Sequence, residues 1–270
     1  MSAPPPGGEK AFTALVLAGS RGPDDPVAMV AGVAHKCLAP VAGVPMVVRV
    51  VEALAASPGI GRIAVALHDP ALLEQLPALP PLIAAGRCRL LPTAATPSLS
   101  VLRALDELPD PLPLLVTTGD HPLLTPEIVA HFGAAARRTG ADLVAGLTPA
   151  SAIKTAYPDA QRTYLRFRDE RYSGANLFAV LQPEGRRAVV FWRRVEQERK
   201  RPWRLVRAFG WQRLLAYLLG RLTLDDALAR ASHVIGARVA AVVMPQPEAA
   251  IDVDKPADLE LAQSILARRG

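Results

Sequence analysis

Three stretches place reactive side chains where an α/β chain would use them. In the first, the apolar run from Phe12 to Leu17 stops at Gly19 and Gly22, and a lone Lys36 follows. The run suits a buried parallel strand, and the glycines allow conformations and close approaches that a side chain would obstruct. Backbone N–H groups in such a turn can converge on an anion, and Lys36 adds a full positive charge, which points to phosphate binding. The plainer reading is a tight strand-to-helix connection. No Gly-Lys-Ser or Gly-Lys-Thr follows at Walker spacing, and the GxGxxG fingerprint is incomplete. In the second stretch, the buried run from Leu112 to Thr118 ends in Gly119-Asp120-His121-Pro122. An acidic residue at the carboxyl end of a central strand faces the crevice where open α/β sheets bind ligands; the alternative is a turn residue ahead of a helix begun by Thr125-Pro126-Glu127. The third stretch, Asp252-Val253-Asp254, precedes the last helix, where Pro256 suits the first turn and Asp258 can cap free amides.

The elements that must hold these residues read as alternating strands and helices. Val47, Val50, Val51 and Leu54 have helical spacing, ended by Ser57-Pro58-Gly59 before a strand from Ile63 to Leu67. A helix from Pro70 to Leu79, a proline-rich turn and a strand near Arg89–Leu91 come next. A helix then carries Val101, Leu102, Leu105 and Leu108 on one side, with Ser98 or Ser100 as its cap. A helix from Pro126 to Arg138 and a strand from Asp142 to Leu147 complete this half. The rhythm breaks between Ser151 and Leu181, where Thr163–Arg168 alternates like a strand and Ala175–Val180 reads as its hairpin partner. Glu184 to Ala231 reads as helical, and Val239–Val243 as a strand. The fold class is therefore α/β: a three-layer, Rossmann-like, mostly parallel sheet flanked by helices, with an inserted β-hairpin and a helical C-terminal segment. Residues 1–10 are expected to be a disordered tail and 11–270 one domain, with 151–235 as an insertion on the acceptor side.

Leu17-Ala18-Gly19, Gly22, Lys36-Cys37-Leu38-Ala39-Pro40-Val41 and Gly43-Val44-Pro45-Met46, in that order, resemble the signature of nucleotidyltransferases with a glycosyltransferase-A-like Rossmann fold. Within that superfamily the chain looks most like the molybdenum-cofactor guanylyltransferase-like NTP transferases. Ala250 to Leu259 resembles the DxDTPEDL-type ending of the same family, with Lys255 where relatives usually have threonine. The resemblance implies nucleotidyl transfer from an NTP, CTP or GTP foremost, to a phosphorylated small molecule, with release of pyrophosphate. It implies Mg2+ held by Asp120 and Asp252, with Asp254 next in line. Leu17, Ala18, Gly19, Ser20, Gly22, Ser98 and Gly119 are expected around the nucleotide, and Gly174 and Asn176 on the acceptor side. Lys36, with Arg21, would balance transition-state charge. Many relatives carry an arginine just after the second loop glycine; here Pro23 and Asp24 follow Gly22, and Arg21 is expected to take over that contact. The spacer from Pro23 to Ala34 looks long, so this loop is expected to be mobile before nucleotide and metal arrive, with Asp24 and Asp25 in a solvated turn.

Composition narrows the partners. Half of the residues are hydrophobic, enough for a sizeable core, and no run of about 20 apolar residues suggests a membrane span. The two cysteines, Cys37 and Cys88, read as reduced thiols, and the chain as soluble and cytoplasmic. A net charge of +6 favours anionic partners, but aromatics are only 5% and no nucleic-acid module is recognisable, so no nucleic-acid partner is expected. Lys154, Arg162, Arg166 and Arg168 can grip an acceptor phosphate or simply be solvated. Trp192, Trp203 and Trp211 among many arginines allow peripheral contact of residues 192–213 with an anionic membrane; helices covering the sheet have the same pattern. Two further readings stay open: a nucleotide-sugar-dependent glycosyltransferase, and a non-catalytic nucleotide-binding regulatory or membrane-associated module.

Overall fold

A computed structural model of the chain describes residues 8–19, 22, 24–69, 72, 76, 78–198, 215 and 217–269. The strands are β1 (Phe12–Ala18), β2 (Pro40–Val41), β3 (Val44–Pro45), β4 (Ile60–Leu67), β5 (Cys88–Pro92), β6 (Leu114–Thr118), β7 (Leu143–Pro149), β8 (Leu165–Arg166), β9 (Arg171–Val180) and β10 (Val239–Val243). Among the described residues the main sheet has eight strands in the order β10-β7-β9-β6-β1-β4-β5, with β8 paired to β9. β1, β4, β5 and β6 are mutually parallel, as are β7 and β10, whereas β9 runs antiparallel to both β6 and β7. The chain leaves β1 toward β4 and β5 and returns on β1's other side with β6, so the order reverses at β1. Such a switch point opens a crevice at the carboxyl ends of the strands.

Alternation along β1 builds the three layers. Phe12, Ala14 and Val16 face a core with Val47, Val51 and Leu54 of helix Met46–Ala56 and Ile128 and Phe132 of helix Pro126–Arg138. Leu15 faces the other core with Ala64, Val116, Val101 and Val189, beneath helices Pro97–Glu107 and Arg186–Gln197. Burial on both faces explains why these strands read as continuous apolar runs. A third cluster joins Val27, Val41, Met46 and Leu123 to Ile251, Val253 and Leu259. That cluster docks the last helix, Pro256–Arg269, beside the Lys36 segment, so the final aspartates meet the first loop.

Several expectations change. The spacer after the glycine loop folds into helix Pro26–Ala31, closed by Gly32 at φ 65°. Asp25 is its cap, accepting from Val27 N at 3.0 Å and Ala28 N at 3.3 Å, so it is buried rather than solvated. The expected helix Pro70–Leu79 falls largely outside the described residues. The proline-rich stretch after it is helical over Leu79–Ala84, because its prolines sit in a first turn that needs no N–H donors. Neither Ser98 nor Ser100 caps the next helix, which starts at Pro97, two residues earlier than a Ser98 cap would give; the cap is Thr96, whose Oγ1 accepts from Leu99 N at 3.3 Å.

The Ser151–Leu181 region differs most. It opens with helix Ala150–Ala156, and the hairpin shrinks to Leu165 and Arg166 paired with Tyr172 and Arg171. Ala175–Val180 instead lies between β6 and β7 inside the main sheet. Alternation marks a strand but does not choose its neighbour, and β9's strong burial favoured the interior. The expected run Glu184–Ala231 divides into helices Arg186–Gln197 and Leu224–Ile235. Residues 199–214, with the basic cluster and Trp203 and Trp211, lie outside the described residues. Among the described residues no helix is long and apolar enough to cross a membrane.

Gly119 shows how packing sets the site. A Cβ there would lie 3.1 Å from Ala18 Cβ and 3.2 Å from Cys37 Sγ. The missing side chain lets Cys37 settle against the end of β6, and Lys36 and Asp120 are the flanking residues. Gly119→Val is expected to destabilise the fold by about 1–3 kcal/mol through overpacking, read as a lower urea midpoint; an unchanged midpoint would show that the contact is not tight.

Candidate active site

Lys36 opens a single 3-10 turn, Lys36–Leu38, whose cap is His35, with Nδ1 accepting from Cys37 N at 3.2 Å. The turn drives the Lys36 ammonium inward, leaving its side chain 7% exposed, 2.6 Å from Asp120 Oδ2 and 3.0 Å from Asp254 Oδ1. Burial alone would pull the ammonium's pKa down, but the two carboxylates outweigh it and hold the group charged well above its ordinary range. Asp120 is fixed from the other side by its backbone, because Val253 N donates to its carbonyl at 2.9 Å. The three sequence stretches therefore converge at one point.

Asp252 occupies the neighbouring position in a different way. Asn176 Nδ2 donates to its Oδ2 at 2.6 Å, and the Arg162 guanidinium bonds its Oδ1 and, at 2.9 Å, its backbone carbonyl. Arg162 also reaches Asp258 Oδ1 at 2.7 Å, while Asp258 Oδ2 accepts from Asp254 N at 3.1 Å and Lys255 N at 3.0 Å. Asp258 is thus the cap its position suggested and an ion-pair partner as well. Burial, reinforced by the nearby Asp120 charge, pushes the Asp252 carboxyl up to about 6. Asn176 bonds Asp252 from a strained position: its φ is +48°, beside a register break in the β7–β9 pairing between Ala145 and Leu147. Asparagine tolerates the left-handed region better than other residues with a Cβ, and bulges re-aim side chains in this manner.

These groups line an open crevice of about 790 Å³ at the switch point. Leu17, Gly19, Lys36, Asp120, Asn176, Asp252 and Asp254 are on its wall. A Cβ on Gly19 would meet nothing within 4 Å, so that glycine leaves room on the crevice side, and Gly22 has a φ of +110° that favours glycine. Ser20 and Arg21 lie outside the described residues. Ala18 and Gly119 pack beneath the wall and do not line it. Ser98 is also turned away: it is fully buried, its hydroxyl donates to Glu196, and Ser100 lines the crevice in its place. Gly174 pairs with Leu147 in the sheet and lies off the crevice. Of the four basic residues considered for an acceptor phosphate, the structure brings Arg162 into the site, where two aspartates occupy it. Lys154 sits 5.9 Å from the Tyr164 ring, and Arg166 is exposed on β8. Arg162 carried no distinguishing local signal, being one arginine of several near a presumed hairpin.

Two neighbouring groups are set back by their surroundings. His121 is fully buried and off the crevice wall, with Nε2 against the Glu248 carbonyl at 3.1 Å, and burial lowers its imidazole's pKa. Burial, helped by Asp120, pushes the Cys37 thiol far up, which disfavours the nucleophilic thiolate.

A resident divalent cation can be weighed against these donors. Asp120 Oδ1 is enclosed without a hydrogen-bond partner, a vacancy on a carboxylate that a cation would fill. Burial and the neighbouring Asp120 charge raise the Asp252 carboxyl in spite of its Arg162 partner, a cost that a cation would relieve. Among the described residues no group of three or more His, Cys, Asp or Glu side chains forms a complete metal cage. That combination fits Mg2+, which is held by one or two carboxylates and completed by substrate phosphates and water.

Comparison with known proteins follows the same lines. The family described as "MobA-like NTP transferase domain" matches residues 14–233. A hypothetical transferase from Thermus thermophilus is 34% identical with a TM-score of 0.76, the match covering 92% of this chain and 99% of that one. CMP:2-keto-3-deoxy-manno-octonic acid synthetase, solved in complex with CTP, shares the fold at 15% identity and a TM-score of 0.57, over 97% and 100% of the two chains. A 4-diphosphocytidyl-2C-methyl-D-erythritol synthase from Anaerococcus prevotii does so at 15% and 0.55, over 96% and 97%. No curated protein matches the chain significantly.

Two outcomes test the geometry around Asp252. Asn176→Gly keeps the left-handed backbone and Asn176→Ala strains it by roughly 1–2 kcal/mol, so the alanine variant should unfold at lower denaturant while both lose the amide contact equally. Equal midpoints would show that residue 176 is unstrained. The raised Asp252 pKa also predicts a pH trend: between about 4 and about 6 the folded state holds a proton that the unfolded chain releases. Without divalent cations, the stability of wild type relative to Asp252→Asn should therefore fall as pH rises through that window. A flat difference, measured by urea titration at several pH values, would mean that Asp252 ionises normally.

Proposed function

This chain belongs to the MobA-like NTP transferase domain family, and from that premise we propose that it is a Mg2+-dependent nucleotidyltransferase coupling an NTP to a phosphorylated small-molecule acceptor with release of pyrophosphate. The observation that carries the reading is the convergence of Lys36, Asp120 and Asp252 on one crevice beside Gly19. An acceptor phosphate oxygen attacks the α-phosphorus of the NTP. The new P–O bond forms as the bond to the bridging β-phosphate oxygen breaks, and pyrophosphate leaves with that electron pair. The attacking oxygen is already anionic, so the step asks for alignment and charge neutralisation rather than for a general base.

The protein's own groups fit those needs. Gly19 gives the triphosphate backbone access at the end of β1, and Leu17 floors the crevice beside it. Lys36 keeps its proton through the reaction and presents fixed positive charge that needs no reorganisation as negative charge builds on phosphate oxygens. Asp120 and Asp252 would hold Mg2+, which supplies Lewis-acid polarisation of the α-phosphate when bound. Asp254 pairs with Lys36 and steadies the ammonium, as Asp120 does, and stands next in line to Asp252 for the metal. Arg162 and Asn176 orient Asp252, and Asn176 lines the side nearer β9, where the acceptor would approach. CTP and GTP lead as nucleotides; the two remote structural neighbours with cytidylyl names favour testing CTP first.

Lys36→Ala should lower turnover by about 10²- to 10³-fold, the usual loss on deleting an electrostatic stabiliser, and Asp120→Asn should abolish Mg2+-dependent turnover with the circular dichroism spectrum unchanged. Both are read as pyrophosphate released from CTP, GTP, UTP or ATP with a pooled set of phosphorylated acceptors. Near-wild-type turnover of Lys36→Ala would remove that residue from the chemistry, and a nucleoside diphosphate product without pyrophosphate would point to a nucleotide-sugar consumer.

A further inference from the structure

The crevice has a second wall that the phosphate chemistry leaves unused. Trp192 and Glu196 are four residues apart on helix Arg186–Gln197 and so share a face; with Phe178 of β9 they line the crevice. The Phe178 and Trp192 rings are stacked, with centroids 5.9 Å apart and 25° between their planes. Glu196 is held by a hydroxyl relay from the start of helix Pro97–Glu107. Thr96 Oγ1 lies 3.0 Å from Ser98 Oγ, Ser98 Oγ donates to Glu196 Oε2, and Ser98 N donates to Oε1 at 3.4 Å. Because the Ser98 proton goes to Glu196, Thr96 must be the donor in the first link.

A carboxylate has about four acceptor directions, and the relay uses one on each oxygen, which leaves acceptor capacity for a ligand. Among the described residues lining this wall the charged group is Glu196, while Lys36, on the opposite side, is engaged by Asp120 and Asp254. A ligand portion that meets the Glu196 carboxylate must donate hydrogen bonds rather than bring further negative charge. A flat base sandwiched between rings needs two faces held apart, and these two rings are closed on each other. A saturated ring bearing hydroxyls needs one apolar surface and one oriented acceptor, which is what this wall offers.

We propose that Glu196, oriented by Ser98 and flanked by the Trp192–Phe178 pair, forms a subsite for a vicinal diol. The inference rests on the nucleotidyl-transfer reading, and the diol can come from the ribose of the nucleotide or from a sugar- or polyol-phosphate acceptor. The position of Glu196 also explains why Ser98 is withdrawn from the crevice: its hydroxyl acts through the carboxylate.

The test is calorimetric binding to wild type and Glu196→Gln with Mg2+ present. The probes are CTP and GTP against their 2′,3′-dideoxy forms, and glucose 6-phosphate against hexyl phosphate, the latter pair added to nucleotide-loaded protein. In one pair, stripping the hydroxyls should weaken binding to wild type by about 10- to 100-fold, the range for a hydrogen bond to a charged group, and should have little effect on Glu196→Gln. An effect in the nucleotide pair assigns the ribose, and one in the phosphate pair assigns the acceptor. Glutamine keeps an acceptor for Ser98, so thermal unfolding should stay near wild type. If CTP or GTP binds but neither pair discriminates in wild type, or if Glu196→Gln weakens hydroxylated and stripped probes alike, the diol subsite is wrong and Glu196 is a helix cap or a base contact. If no NTP binds wild type at all, the nucleotidyl-transfer reading fails first.

Discussion

The buried ammonium of Lys36 between Asp120 and Asp254 is the contact on which the crevice depends. Removing a charge from water is costly, and a buried pair recovers that cost only with good geometry and further hydrogen bonds. Asp120, Asp252 and Asp258 are largely enclosed and are met by Lys36 and Arg162, whereas the Asp254 side chain stays 43% exposed. One Asp120 oxygen is enclosed without a hydrogen-bond partner, and burial together with the Asp120 charge raises the Asp252 carboxyl. Those two carboxylates are the groups that positive charge entering the crevice would relieve most.

Topology delivers this cluster from distant parts of the chain. Lys36 comes from the loop after β1, Asp120 from the end of β6, and Asp252 and Asp254 from the approach to the last helix. The switch point at β1 brings the first two together, and packing of Ile251, Val253 and Leu259 against Val27, Val41 and Met46 brings in the third. The hydrogen bond from Val253 N to the Asp120 carbonyl fixes the last approach at main-chain precision. Cys37 against Gly119 does the same for Lys36 by shape rather than by polarity. Small residues at strand ends thus serve catalysis indirectly, through how closely two loops can meet.

What could be read from the sequence follows from which signals are local. Asp120 stands just past the apolar run of β6, so that run put it at the crevice, whereas Lys36 was placed by the glycine loop ahead of it and by the resemblance of the segment it opens. The three layers were legible from such apolar runs, as was the last strand, Val239–Val243. β9 was misread because an antiparallel strand inserted between β6 and β7 has no local mark separating it from a hairpin arm. Ser98 was misjudged as a cap by a two-residue shift in helix start, which places its side chain against Glu196. Arg162 could not be ranked at all: its value depends on Asp252, 90 residues away.

The places where local rules are broken are the places where the chemistry is assembled. Asn176 holds a left-handed conformation in a strand, Asp252 is ionisable yet largely enclosed, and Arg162 is buried with its Nε unpartnered. Each would be simpler as an apolar residue in regular geometry, and the neighbouring core shows that such residues fit this fold. All three touch Asp252 or are Asp252. The strained Asn176 and the enclosed Arg162 both bond this carboxylate, so the irregular geometry serves to fix its position on the crevice wall. The surrounding double-faced sheet supplies the stability that lets that geometry persist.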